Sequence, residues 1–156
     1  MRNRSFVTVF ALAVSLSAHA VNWSATTGGD MSDPANWGGT QPADQRLVFD
    51  SAVSSPVTLS KDLSALTVTA NGNVDFSFGN RTLTSSGVIS VGANVTLQLL
   101  SGAMTCSNNS CILGNKCSNA KLIINGAGTT ANFLAGNGIV VNRTVAPVGI
   151  VVHELP

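Results

Sequence analysis

Arg81-Thr82-Leu83-Thr84-Ser85-Ser86-Gly87-Val88-Ile89-Ser90-Val91-Gly92-Ala93-Asn94-Val95-Thr96-Leu97 reads as strand, glycine turn, strand, Gly-Ala-Asn turn, strand. A weaker echo runs from Leu122 to Ala131 as Leu-Ile-Ile-Asn-Gly-Ala-Gly-Thr-Thr-Ala. Around this phrase, Leu66–Thr69, Val74–Phe78 and Val95–Leu99 alternate apolar and polar residues. Period-two alternation places one face in a core and the other in water. Turn residues separate the runs at Asn71-Gly72, Gly79-Asn80, Ser86-Gly87, Gly92-Ala93-Asn94, Ser101-Gly102, Gly114-Asn115 and Asn125-Gly126. Gly and Asn tolerate the positive φ of tight turns. Past residue 20 there is no sustained helical periodicity. The expectation is an all-β chain. Asn-Gly pairs by themselves suit hairpins and a β-sandwich, whereas the recurring phrase suits a parallel β-helix whose short strands stack coil on coil.

Outward from this core, the N-terminus has a different texture. Arg2 and Arg4 precede the apolar run Phe6–Leu16, and Ala18-His19-Ala20 follows with small residues flanking one larger one. That layout predicts a secretory signal peptide cleaved after Ala20. The apolar run is too short for a spanning helix, which needs about 20 residues. The formal charge of +1, less the two arginines, leaves −1 on the mature chain. Charged residues make up 10% of the sequence and aromatics 5%, with no tyrosine. Such a chain has no basic field for nucleic acid or anionic lipid.

The sequence resembles the passenger regions of bacterial autotransporter and adhesin-like surface proteins, those with autotransporter-associated β-strand repeats. The resemblance rests on Asn22-Trp23, on Asp33-Pro34-Ala35-Asn36-Trp37-Gly38-Gly39 with Pro42, Asp44 and Val48-Phe49-Asp50, and on the Gly87–Leu97 phrase. It implies a right-handed parallel β-helix on a cell surface, and it supplies no catalytic residues. The expected organisation is a signal at 1–20, an N-terminal capping segment at 21–50, solenoid coils at 51–145, and an irregular or truncated tail at 146–156. Membrane attachment would then come only through a C-terminal anchor or translocator that the sequence does not contain.

Residues that could carry chemistry are sparse. The mature acids are Asp30, Asp33, Asp44, Asp50, Asp62, Asp75 and Glu154, so the most repeat-like stretch has no carboxylate pair. Paired acids are what glycoside chemistry needs. Asp44 with Asp50 could meet near the first coil, against the usual turn and strand-end roles of Asp. Gly28-Gly29-Asp30 is similar to one fragment of a calcium-binding repeat, and Asp30 with Asp33 could hold a cation weakly. His153 is the single mature histidine and lies by the terminus without a Gly-x-Ser-x-Gly elbow, which speaks against a serine triad. Gly126-Ala127-Gly128-Thr129-Thr130-Ala131 fits a dinucleotide-loop spacing but lacks the following helix and the acid beyond it.

Cys106, Cys111 and Cys117 could form one disulfide in an oxidising compartment, pairing unspecified, with one thiol over. Trp23 and Trp37 are expected to cap the first coil, since an open solenoid end exposes core; a sugar-stacking face is the alternative. Past residue 20, five Asn-x-Ser/Thr sequons, at Asn22, Asn80, Asn94, Asn108 and Asn142, matter only in a eukaryotic secretory route. The expected function is a non-catalytic exported surface module without cofactor or metal, contacting glycans or surface proteins. Its alternatives are the first part of a secreted carbohydrate-active β-helix enzyme and a β-sandwich binding module.

Overall fold

The computed structural model describes residues 19–107, 111–113, 119–126, 128–133, 139–141 and 149–153. The strands among them are, in chain order, β1 (Ala20–Asn22), β2 (Arg46–Phe49), β3 (Val57–Thr58), β4 (Leu63–Ala65), β5 (Thr67–Ala70), β6 (Val74–Ser85) and β7 (Ile89–Val91). They continue as β8 (Thr96–Cys106), β9 (Cys111–Leu113), β10 (Lys121–Asn125), β11 (Thr130–Phe133), β12 (Ile139–Val141) and β13 (Gly149–His153). A short 3-10 helix spans Pro34–Trp37.

Every strand pair among these residues is parallel, and partners come from successive coils. The described residues therefore form a β-solenoid of about three turns, without the hairpin ladder of a sandwich. One sheet has the order β1-β2-β5-β7-β9-β12. The other has the order β13-β10-β8-β6-β3, with β4 on β6 and β11 on β8. This second sheet is bent. The first halves of β6 and β8 pair with β3 and β10, and their second halves with β4 and β11. The solenoid thus has three faces.

The bend corrects the expectation that Gly79-Asn80 and Ser101-Gly102 end strands. β6 and β8 run through both and turn a corner there, where the register slips between Ser77 and Thr82. Gly79 has φ +63° and Gly102 φ +85°, which a glycine adopts without Cβ strain. A Cβ on Gly102 would lie 2.6 Å from the Phe78 Cβ and 2.7 Å from the Arg81 oxygen of the coil below. The corner works only because no side chain is there. At the corner between the first two faces, Asn94 and Asn119 both take positive φ, and the Asn119 amide donates to the Asn94 amide oxygen at 3.1 Å.

Inward columns form the core. Leu47, Val68 and Ile89 stack on the first face, as do Phe76 and Leu99 on the second, and Leu83 and Met104 on the third, all at 0% exposure. The inner column Ala65, Ser85, Cys106 is of small residues. Ser85 is fully buried, yet its hydroxyl lies 3.2 Å from the Leu66 and Gly87 carbonyl oxygens. That pairing removes the penalty of a buried, unsatisfied hydroxyl.

Cys111 opens strand β9. The stretch read as an irregular tail contains β13, which pairs with β10 from Lys121↔Gly149 to Asn125↔His153. Ile150-Val151-Val152 is a β-branched run and fits a pleated ladder, so the coil pattern passes residue 145.

Candidate functional site

The N-terminal segment folds back onto the first coil through a web of local bonds. Asp33 precedes the 3-10 helix, and its carboxylate accepts the Ala35 N–H at 2.9 Å. Pro34 at the helix start suits this arrangement, because its missing N–H would have had no partner. The helix delivers Trp37 inward, 2% exposed, where the indole N–H donates to the Met31 carbonyl at 2.7 Å. Trp23 follows β1, and its backbone N–H donates to the Val48 carbonyl at 2.8 Å.

The two indoles meet edge to face, with centroids 5.0 Å apart and an interplanar angle of 85°. Both also contact Phe49 at 5.4 Å, and the stack continues from Phe49 to Phe76 at 5.5 Å and on to Phe78 at 5.0 Å. Such pairs contribute about 0.5–1.5 kcal/mol each beyond area burial. Trp23 differs from its partner. It is only partly buried, and its indole nitrogen, though enclosed, has no hydrogen-bond acceptor among the described residues. Trp23 also lines a shallow groove of about 270 Å³ with Ser24, Ala25, Thr26, Ser51, Ala52 and Val53. No charged side chain lines it.

Asp30 is the polar hub of this end. One carboxylate oxygen accepts the Ser32 N–H at 2.8 Å, the Ser32 hydroxyl at 2.6 Å and the Ser60 N–H at 3.2 Å. The Ser32 and Ser60 hydroxyls lie 2.9 Å apart. The Asp30 carbonyl accepts the Asn36 amide at 2.8 Å, and Asp30 bridges to Thr58 in parallel. Burial by itself would raise the Asp30 pKa. The Ser32 and Ser60 hydroxyls and backbone amides outweigh it, and hold the carboxyl below its usual 3.8. Asp30 and Asp33 thus each turn a carboxylate oxygen to neighbouring backbone.

The other acids are spread apart in role. Asp50 accepts the Asn71 amide at 2.9 Å, and Asp62 accepts the Thr82 N–H at 2.9 Å, each tying one coil to the next. Asp44 has φ +58°, and its backbone N–H donates to the Ser64 carbonyl at 2.9 Å. No bond joins Asp44 to Asp50 among the described residues. The Cys106 thiol is buried and points to the Gly87 carbonyl at 2.9 Å. Cys117 and the Cys111 side chain lie outside the described residues, so the expected disulfide pairing does too. Among the described residues no group of three His, Cys, Asp or Glu side chains converges.

The register of the third face also creates a surface feature. On the third face, Ser64, Thr84, Thr105 and Asn132 occupy one register column, and Thr82, Ala103 and Thr130 the next. All seven are exposed or half-buried, and none is charged. Adjacent rungs of a sheet lie about 4.8 Å apart, and alternate residues along a parallel strand about 6.6 Å, so these side chains form a regular grid. A signal for it is present in the chain: Leu63-Ser64-Ala65, Leu83-Thr84-Ser85 and Met104-Thr105-Cys106 repeat an apolar, hydroxyl, small triplet at nearly constant spacing. Compared with family models, curated proteins and solved structures, the chain matches none.

Proposed function

We propose that this chain is an exported, non-catalytic structural module of a cell surface, of the adhesin-like passenger kind, which presents a neutral hydroxyl face to glycans. The observation that carries the reading is the Ser64-Thr84-Thr105-Asn132 column beside Thr82, Ala103 and Thr130. A parallel stack holds these short side chains at fixed spacing on a rigid sheet, so little side-chain entropy is lost when they pair with a polyhydroxylated partner. The Ser64-Thr84-Thr105-Asn132 column carries no charge, and the exposed Asp62 at its edge, bonded to the Thr82 N–H, is negative, which suits a neutral polysaccharide rather than an anionic polymer. On this reading, Trp23 and Trp37 are cap residues. They cover the Phe49 end of the aromatic stack, which a solenoid end would otherwise leave to water. The signal-like residues 1–20 and the resemblance to autotransporter-associated repeats support delivery to the surface.

The test is co-sedimentation of the purified protein with insoluble neutral polysaccharides, at low salt and at about 0.5 M salt. Wild type is expected to bind equally at both ionic strengths and to release no reducing sugar. Replacing Thr84→Lys and Thr105→Lys together should lower binding at least about tenfold, since two lysines would crowd adjacent rungs of the grid. Binding that survives this double substitution, or that collapses in salt, refutes the neutral-face reading. Release of reducing sugar refutes the non-catalytic one.

A further inference from the structure

The export signal and the fold compete for the same residues. If the leader is removed after Ala20, as the proposed function assumes and as this inference therefore also requires, the scissile bond is Ala20–Val21. That bond lies inside strand β1. Ala20 pairs with Arg46, Val21 with Leu47 and Asn22 with Val48. The ladder is bounded by the Arg46 N–H donating to the His19 carbonyl at 3.4 Å and the Trp23 N–H donating to the Val48 carbonyl at 2.8 Å. Val21 is 7% exposed and points into the interior above Leu47, while Ala20 faces water.

A peptidase binds its substrate as an extended strand and needs the residues on both sides of the bond. Here the residue after the bond is core, and the residues after that are tied to Trp23 and the aromatic stack. Access would require stripping β1 from β2 and pulling Val21 into water.

We propose that the Ala20–Val21 bond is a cleavage site only until the first coil closes, so that folding of the N-terminal end locks the leader's fate. Cleavage adds water across the amide, leaving a carboxylate on Ala20 and an amine on Val21. Val21 then begins the mature chain, with its side chain in the core and its backbone in β1. A chain that folds first retains its leader.

The experiment uses the full chain made by cell-free synthesis, with signal peptidase in detergent micelles either present during synthesis or added after folding is complete. The readouts are the loss of residues 1–20 on a gel and N-terminal sequencing. The expected result is a product beginning at Val21 in the first order of addition, and cleavage at least about tenfold slower in the second. Equal rates in the two orders overturn the proposal while leaving the signal reading intact. A product that begins elsewhere, or no product in either order, refutes the signal reading itself, and this inference falls with it.

Discussion

Gly102→Ala tests the corner on which the three-sided solenoid depends. Two costs apply. The φ of +85° is foreign to an L-residue, at about 1–2 kcal/mol. The new methyl would also meet the Phe78 Cβ at 2.6 Å and the Arg81 oxygen at 2.7 Å. Ordinary contact begins near 3.4 Å, and Phe78 is 2% exposed in the core, so neither neighbour can swing into water. Forcing extra volume into such a site costs about 1–3 kcal/mol. The loss should be roughly 2–5 kcal/mol in all.

The matched control is Gly79→Ala at the same corner one coil earlier. There φ is +63° and no atom lies within 4 Å of the new Cβ. Only the backbone term remains, about 1–2 kcal/mol, reduced by up to about 1 kcal/mol because alanine also restricts the unfolded chain. Urea unfolding followed by tryptophan fluorescence gives both values. With a fall of roughly 2–4 °C in Tm per kcal/mol at this size, Gly102→Ala should melt roughly 4–20 °C lower and Gly79→Ala only a few degrees lower. Equal losses, or a greater loss at Gly79, would refute the argument that close approach between coils fixes the corner.

Other outcomes follow from the N-terminal end. Asp30 has a folded pKa below its unfolded value near 3.8, so its contribution to stability is complete above that pH and is lost as pH falls through the depressed folded value. Asp30→Asn should therefore lower the urea midpoint at pH 7 and flatten its decline below pH 3.8, as a pH series of unfolding curves would show. Trp37→Ala should cost about 3–5 kcal/mol, as expected for emptying a buried aromatic site. Trp37→Phe should cost about 1–3 kcal/mol, because it leaves the Met31 carbonyl without its donor. Trp23→Phe should cost less than Trp37→Phe, since the Trp23 indole nitrogen has no acceptor to lose among the described residues. Its remaining fluorescence, from Trp37 alone, should resist quenching by acrylamide.

The chain itself determined the class of fold. Alternation in Val74–Phe78 and Val95–Leu99 and the turn residues at Gly79, Asn94 and Gly102 are local properties, and local sterics decide them. With seven acids and two histidines in the whole chain, paired-carboxylate and triad chemistry have few residues to draw on. What the tertiary structure decided is which strand lies beside which. Asn71-Gly72 is compatible with a hairpin and with a solenoid corner. The choice rests on coil lengths that match across many residues, such as the 21-residue advance from Arg46 to Thr67 and again from Val68 to Ile89.

That non-local match creates features that no short segment contains. Ser60 reaches Asp30 across the coil, the hydroxyls of Ser64, Thr84 and Thr105 fall into line, and β6 and β8 bend without ending. It also separates two tryptophans that look alike in the sequence. Trp37 arrives from a 3-10 helix with a carbonyl awaiting its N–H, while Trp23 stays at the edge of the groove. Local propensity fixes the alphabet of turns and strands. Stacking, which depends on the summed length of each coil, fixes their neighbours.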